Sequence, residues 1–372
     1  MEKVRNLPQE LVENILVRLP CKSLMRFKCV CKHWFALLHY DTKFLSRHFI
    51  KNQNSAANDV LLKLPSHIVN DLKLEIYKLF SLSATGIGME TPIPPWPSKY
   101  FSRCYQICGH SNGIVCLSSL DYILLYNPLT REFRKLPPFT IEHSSRVAVG
   151  MGYDSFTDDF KVISIRKRQN ATDYYARVVE QYTLSTDSWA VMPNTNVELL
   201  YLNYNDFAMC FNRTFYWWAR YREDYSIVIV ALNMDDGVFQ MVPKPPGVNI
   251  IERNGSTLTV WNDSISLVCC SYQSPSNFDI WVMGGFGSWT HMRTIKHLTE
   301  EVPKPWVFWK GNELLMEMVS CGKITSYNVD TKESKDVLIK MMHTDGISCF
   351  QAVNYVTRLM KVVTKIKETF GI

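Results

Sequence analysis

The stretch Leu125-YNPLTREFRKLPP, closing at Pro138, sets two short apolar strands on either side of a polar turn. Asn127-Pro128 places Asn at the first corner of a type I turn and Pro, with its fixed φ, at the second. The unit returns as Gln181-YTLSTDSWAVMP and Ala231-LNMDDGVFQMVP, and more loosely as Asp279-IWVMGGFGSWTHM and Ser326-YNVDTKESKDVLI. Anchored on Tyr126, Tyr182, Leu232, Trp281 and Tyr327, the copies step by 56, 50, 49 and 46 residues. Ile76-YKLFSLS reads as a degenerate first copy. Further strands are predicted between copies, at 146–152, 160–165, 215–219, 258–260, 266–271 and 313–319. Three or four strands per repeat of about 50 residues is the pattern of propeller blades. About six blades are therefore expected, with a pair of packed sheets as the alternative. Cys349-FQAVNYV is strand-like and is expected to complete the blade begun at Val60, tying the two ends of the β region together.

Outward from the repeats, the N-terminal pattern changes period. Residues 7–34, LPQELVENILVRLPCKSLMRFKCVCKHW, carry two helical patterns joined by Pro20. Pro8 suits a first helical turn, Asn6 is the expected N-cap, and Glu10 places negative charge near the N-terminus. Leu11, Ile15 and Leu19 form one stripe, with Val12 and Leu16 beside it. Ser23 is the expected cap of the second helix, in which Leu24, Phe27, Val30 and Trp34 keep helical spacing. About forty residues rarely bury enough surface to be stable alone, and helices this short are marginal in water. Two stripes on one short helix assign one to its own core and one to something else: a cap on the β region, or a docking module completed by a partner.

Composition narrows the partner. The 372 residues, 47% apolar and 20% charged, are those of an ordinary globular chain. The net charge of +6 is concentrated: residues 1–51 hold ten Lys/Arg against four Asp/Glu, and the rest of the chain is balanced. Such a patch steers an acidic protein or a nucleic acid. No aromatic stacking platform accompanies it, so nucleic acid is not expected and an acidic protein is. No apolar run approaches the roughly 18 residues of a membrane span. Met1-Glu2-Lys3 leads straight into the first helix, and the eleven cysteines form no CxxC pair, so no leader, free thiols and a cytoplasmic or nuclear location are expected.

The helical stretch resembles an F-box, particularly its plant form. The matching residues are Leu7-Pro8, Glu10-Leu11, Ile15-Leu16, Leu19-Pro20, Lys22-Ser23-Leu24, Arg26-Phe27-Lys28, Val30-Cys31-Lys32 and Trp34, within residues 7–48. The resemblance implies a three-helix unit that binds a Skp-type linker, and through it a cullin and a RING protein. Carried over by position, the linker contacts are Leu7, Pro8, Leu11, Ile15, Leu16, Leu24, Val30, Cys31 and Trp34.

The repeat region is similar to the plant F-box-associated domain. The similarity rests on Gly109-HSNGIVCL, the Asn127-Pro128-x-Thr130 turn running to Pro138, Gly152-Tyr153-Asp154 with Asp159-x-Lys161-Val162, the Trp281/Trp289 pair and Trp309-Lys310. With Leu72-Lys73-Leu74 and the proline-rich Thr91–Ser98 loop, the arrangement is most like the pollen S-locus F-box proteins. That likeness implies a kelch-like recognition domain, with a style ribonuclease as target in self-incompatibility. The expected organisation is an F-box module at 1–50, a linker at 51–59, the β-propeller-like domain at 60–357 and a C-terminal tail at 358–372. The expected function is a non-catalytic substrate adaptor of an SCF (Skp–cullin–F-box) ubiquitin ligase, delivering targets for degradation. The alternatives are a kelch-like propeller enzyme, or an F-box scaffold acting outside a ligase.

No GxSxG, HExxH or GxxxxGK[ST] motif is present, so neither catalysis nor a cofactor is expected. Cys104, Cys108, His110 and Cys116 are spaced irregularly for zinc, and buried strand cysteines explain them equally well. Asp158-Asp159 and Asp235-Asp236 read as solvated loop carboxylates. Targets are expected at loops of one end of the β domain: 139–146, 166–176, 220–226 and 272–279. The charged candidates there are Arg166, Lys167, Arg168, Arg220, Arg222, Glu223 and Asp224.

Overall fold

A computed structural model describes residues 7–52, 59–69, 74–82, 88–91, 105–119, 122–140, 146–167, 177–193, 195, 200–202, 208–235, 237–248, 255–270, 277–296, 303–318, 323–337, 351–356, 358–360 and 362.

The repeated turn explains the repeated blade. Asn127 Oδ1 accepts from the N–H groups of Leu129 (2.9 Å) and Thr130 (3.2 Å), and its carbonyl accepts from Arg131 at 2.8 Å. Asn328 does the same toward Asp330 and Thr331, and Asn233 toward Asp235. Four residues after the start of each turn stands a residue of positive φ: Arg131 (61°), Asp187 (51°), Gly237 (68°) and Lys332 (62°). Each left-handed residue reverses the chain so that the following strand pairs back on the anchor. Tyr126 faces Phe133, Tyr182 faces Trp189, Leu232 faces Phe239 and Tyr327 faces Ser334.

These hairpins build six antiparallel sheets. Blade one contains β1 (Asp59–Val69), β2 (Leu74–Leu82) and β3 (Gly88–Thr91). Blade two is β4 (Gln106–Ser111), β5 (Ile114–Ser118), β6 (Ile123–Tyr126) and β7 (Phe133–Lys135). Blade three is β8 (Arg146–Asp154), β9 (Asp159–Lys167), β10 (Arg177–Thr183) and β11 (Ser188–Val191). Blade four has β12 (Leu200–Leu202) and β13 (Met209–Phe211) side by side on β14 (Thr214–Tyr221), followed by β15 (Ile227–Asn233) and β16 (Phe239–Val242). Blade five is β17 (Ser256–Trp261), β18 (Ser264–Cys270), β19 (Phe278–Gly285) and β20 (Ser288–Ile295). Blade six is β21 (Lys304–Trp309), β22 (Glu313–Met318), β23 (Lys323–Asn328) and β24 (Ser334–Asp336). The last strand, β25 (Gln351–Tyr355), returns to pair with β1 and supplies the inner strand of blade one, with Val60 opposite Asn354 and Leu62 opposite Ala352. The chain is a six-bladed propeller closed by its own two ends, which excludes the two-sheet alternative.

Six apolar clusters fill the six seams between neighbouring blades. Strand alternation sends successive side chains into different seams. Phe160 and Val162 of β9 pack toward blade two, whereas Ile163 and Ile165 pack toward blade four. The Trp217-Trp218 pair divides likewise: Trp217 is buried toward blade three, and half-buried Trp218 packs toward blade five.

The helical module precedes β1 and has four helices among the described residues: α1 (Gln9–Leu16), α2 (Cys21–Phe27), α3 (Lys32–Tyr40) and α4 (Thr42–Asn52). Pro8 and Pro20 occupy the N-cap positions of α1 and α2, so Ser23 lies inside α2 and does not cap it. The single helix expected from Ser23 to Trp34 is two. Tight bonds from Cys29 N–H to the Arg26 carbonyl and from Val30 N–H to the Phe27 carbonyl end α2. Extended Cys31 then restarts the chain, its sulfur accepting from Trp34 N–H at 3.4 Å. The expected Asn6 cap lies outside the described residues.

The module sits against blade two. Leu129, from the turn between β6 and β7, packs on the helical core formed by Leu16, Val17, Leu24, Leu37, Leu38 and Phe44. Leu359 completes that core from the other end of the chain. Residues from Arg358 onward were expected as a free tail; Leu359 and Val362 are instead buried, Val362 in the seam between blades two and three. A backbone hydrogen bond from Leu359 also reaches the Cys21 thiol, whose pKa burial pushes up to about 11. The rest of the expected tail, 363–372, lies outside the described residues.

Candidate docking face and the opposite end of the propeller

Along α1 and the turn after it the two stripes separate, except that Leu19, expected beside Leu11 and Ile15, joins the inward one. Val12, Leu16 and Leu19 turn inward, whereas Leu7, Leu11 and Ile15 remain 60%, 50% and 52% exposed. Val30, in the turn before α3, is 60% exposed, and Pro8 and Cys31 are also open. These large apolar groups stand on a module whose Arg18, Lys22, Arg26 and Lys32 are exposed as well. An open apolar stripe on a basic module fits a partner with an apolar groove and an acidic rim.

Two of the expected linker contacts lie elsewhere. Leu16 and Leu24 are 1% and 0% exposed and belong to the module's own core, so neither is available to a partner. Their apolar character fits both stripes, and only the packing of α1 on α2 and α3 separates them. Trp34 is half-buried against the same core, edge-to-face with Phe27 at 5.6 Å between centroids.

Strand order fixes which propeller loops share an end. In each blade the turn from first to second strand and the turn from third to fourth lie at one end. The helical module docks at that end through Leu129 and Glu132 between β6 and β7, Glu132 lying 3.8 Å from His39 of α3, while Gly113 between β4 and β5 and Asn127 hold the C-terminal segment there. The connections from second to third strand, and from blade to blade, lie at the opposite end. All four expected recognition loops belong there: β7 to β8, β9 to β10, β14 to β15 and β18 to β19.

Within those loops the charged candidates differ. Arg166 is buried, its Nη1 3.2 Å from Oε2 of buried Glu180, and its guanidinium stacks 3.9 Å from the Phe139 ring. It is therefore a seam residue, not a surface contact: β9 pairs with β10 so that Ser164 faces Glu180, and Arg166 lands diagonally beside that carboxylate. Lys167 ends β9 and is half-buried, and Arg168 lies outside the described residues. Arg220, Glu223 and Asp224 are exposed in the β14–β15 hairpin and Arg222 is half-buried. Arg220 Nη1 donates to the Tyr225 carbonyl at 3.2 Å. Asp224 Oδ1 accepts from Ser226 N–H at 2.9 Å, and the Ser226 hydrogen bonds hold its carboxyl below the usual range. Of the 139–146 and 272–279 loops, 141–145 and 271–276 lie outside the described residues.

Of the two carboxylate pairs, Asp158 and Asp235 are exposed as expected, Asp236 lies outside the described residues, and Asp159 departs from the expectation. Asp159 is buried and accepts from Ser185 N–H at 3.2 Å, and Asp235 forms an ion pair with Arg213 at 2.5 Å. Cys108 and Cys116 are buried thiols in the seam between blades two and three. Burial pushes the pKa of His110 down to about 4. Cys104 lies outside the described residues. Among the described residues no group of three or more His, Cys, Asp or Glu side chains is arranged to hold a metal ion, and no helix is long and apolar enough to cross a membrane.

Comparison with known proteins accounts for both parts. Residues 5–45 match the F-box domain, and residues 80–363 match the F-box associated beta propeller domain. Among relatives, F-box/kelch-repeat protein At3g23880 of Arabidopsis thaliana is 28% identical over 319 residues, covering 81% of this chain and 83% of the relative. F-box protein CPR1 of the same plant is 23% identical over 378 residues, covering 90% and 84% respectively. Of solved structures, TolB from Acinetobacter baumannii aligns with a TM-score of 0.45 at 11% identity, over 81% of this chain and 71% of that one. With an F-box at its N-terminus and a matching propeller over most of its remaining length, the chain belongs to the family of F-box proteins with an F-box-associated β-propeller domain.

Proposed function

We propose that the chain is the substrate-recognition adaptor of an SCF-type ubiquitin ligase. One observation carries this reading: Leu7, Leu11, Ile15 and Val30 stand open on a basic helical module, while Val12, Leu16, Leu19 and Leu24 fill its core. Leaving that much apolar surface in water is unfavourable, and a partner that covers it gains what the free chain lacks. The partner that fits is an acidic Skp-type linker, bringing a cullin and a RING protein. The opposite end of the propeller then faces away from the ligase and is free to take a target. Rigid blades carry variable loops there, and Arg220, Arg222, Glu223 and Asp224 are the charged groups proposed to meet it. The chain itself performs no chemistry in this scheme; it holds target and ligase together.

The test is reconstitution. The full chain is mixed with a recombinant acidic Skp-type linker, then with cullin, RING protein and charged conjugating enzyme. Co-purifying proteins are offered as targets, with a style ribonuclease as the first candidate from the S-locus likeness. A stable linker complex and ubiquitin transfer to a bound target are expected. Linker binding without transfer to any co-purifying protein would favour a scaffold role, and absence of linker binding would refute the adaptor reading.

A further inference from the structure

We propose that closure of the propeller ring and formation of the linker-docking face are a single event, tied together by residues 356–362; the inference rests on the adaptor reading above for its biological meaning. The entry and exit of the propeller meet at one point, because Asp59 at the start of β1 pairs with Tyr355 at the end of β25. From there the chain does not leave the molecule. Tyr355 Oη donates to the Gly113 carbonyl at 3.2 Å. Asn127 Nδ2 then donates to two carbonyls of the segment, those of Arg358 (3.1 Å) and Met360 (2.7 Å). Val362 is sealed into the seam between blades two and three. Between these two anchors on blade two, Leu359 points the other way, into the core of the helical module against Leu16, Leu24 and Phe44. The Arg358 guanidinium lies over the Phe49 ring of α4 at 3.7 Å.

The position of Leu359 makes the helices depend on the ring. Four residues separate it from Tyr355, a reach of at most about 14 Å. It can therefore arrive beneath α1 and α2 only when β25 is in place beside β1. Helices of seven to eleven residues do not hold together in water without a filled core. Leu16 follows Ile15 directly in α1, so the floor that Leu359 completes is the back of the surface bearing Leu11 and Ile15. Chains whose ring is open or whose end is missing do not present that surface. The linker thus recruits only receptors whose target-binding propeller is finished, and the clasp fixes the angle between ligase and target. Leu359 and Asn127 are positioning residues in this scheme, since neither touches the linker face.

The experiment uses the full chain and compares Leu359→Ala, Leu359→Met, a chain ending at residue 356 and a chain ending at residue 363. Affinity for recombinant Skp-type linker is measured by calorimetry, and amide hydrogen exchange is followed in the chain without linker. Leu359→Ala and the chain ending at 356 should bind linker at least tenfold more weakly. In both, α1 and α2 should lose exchange protection while β9, β14 and β18 keep theirs. Leu359→Met should restore binding to within about threefold of the parent, and removal of 364–372 should change neither readout. Parental affinity and protection in Leu359→Ala would overturn the proposal, as would a uniform loss of protection over all six blades, which marks a general stability role. A linker that fails to bind even the parent chain refutes the adaptor reading instead, and the exchange readout then still decides the coupling.

Discussion

The double substitution Leu11→Ala/Ile15→Ala separates docking from folding, because its neighbour Leu16 supplies the opposite control. Leu11 and Ile15 are 50% and 52% exposed in the free chain, so roughly half of each side chain is still to be buried by a partner. Full burial of such a side chain is worth about 1.5–3 kcal/mol, which leaves ~1–1.5 kcal/mol for each on docking. The pair together then accounts for about 2–3 kcal/mol, or roughly a thirtyfold to 150-fold change in linker Kd. Stability of the free chain should move by no more than ~0.5 kcal/mol per site, as for surface positions in general. Leu16→Ala reverses the pattern. At 1% exposure the side chain lies in the module's core, and its loss leaves a cavity costing about 2–5 kcal/mol of stability. Titration calorimetry against recombinant linker, paired with denaturant unfolding of the free chain, reads both quantities. Unchanged linker affinity in the double variant, with the free chain fully folded, would refute the assignment of this stripe to docking. Equal losses of stability in the double variant and in Leu16→Ala would refute the division of the two stripes.

Three further outcomes are expected. Arg166→Ala should destabilise the propeller by about 3–5 kcal/mol, since it leaves buried Glu180 without its counter-ion, whereas the paired change Arg166→Met/Glu180→Gln should recover most of that loss in denaturant unfolding. Asn328→Ala removes one side-chain-capped turn and should cost about 1 kcal/mol; Asn127→Ala removes the same turn plus two bonds to Arg358 and Met360, and should cost ~2–4 kcal/mol by the same measurement. Stability should also fall in acid. His110 is held near 4 against an unfolded value of about 6.5, so the folded chain resists a proton that the unfolded chain accepts. Its contribution is complete above about pH 6.5 and is lost as pH falls toward 4, about 3 kcal/mol in all, and His110→Gln should flatten that part of the pH–stability curve.

The repeats were legible because their cause is local. An Asn that accepts from the N–H groups two and three residues on, a left-handed residue four positions on, and an apolar anchor just before it are all written within a dozen residues. Even the degenerate copy at Ile76 falls in the third strand of its blade, as Tyr126 and Tyr182 do in theirs. Which of two apolar stripes faces water was not legible in the same way. Ile15 and Leu16 have the same chemistry, and only the packing of three short helices on one side of α1 tells them apart. Arg166 failed for a related reason. A basic run after a strand reads as a solvated loop until pairing with β10 sets a carboxylate beside its first member.

Leu359 lies furthest beyond what a sequence pattern can carry. Its neighbours Thr357, Arg358 and Met360 form no period, so nothing local distinguishes it from a fraying end. Its partners Leu16 and Leu24 are more than 330 residues away, and the groups that steer it, Asn127 and Gly113, are more than 230 away. Contacts of such separation cost the most chain entropy to close and are normally secured only after local structure exists. In this chain that order has a particular consequence. Under the coupling proposed above, the blades form from local hairpins as they are made, while both the ring and the helical module wait for the final strand. The domain that is first in sequence therefore acquires its complete core last.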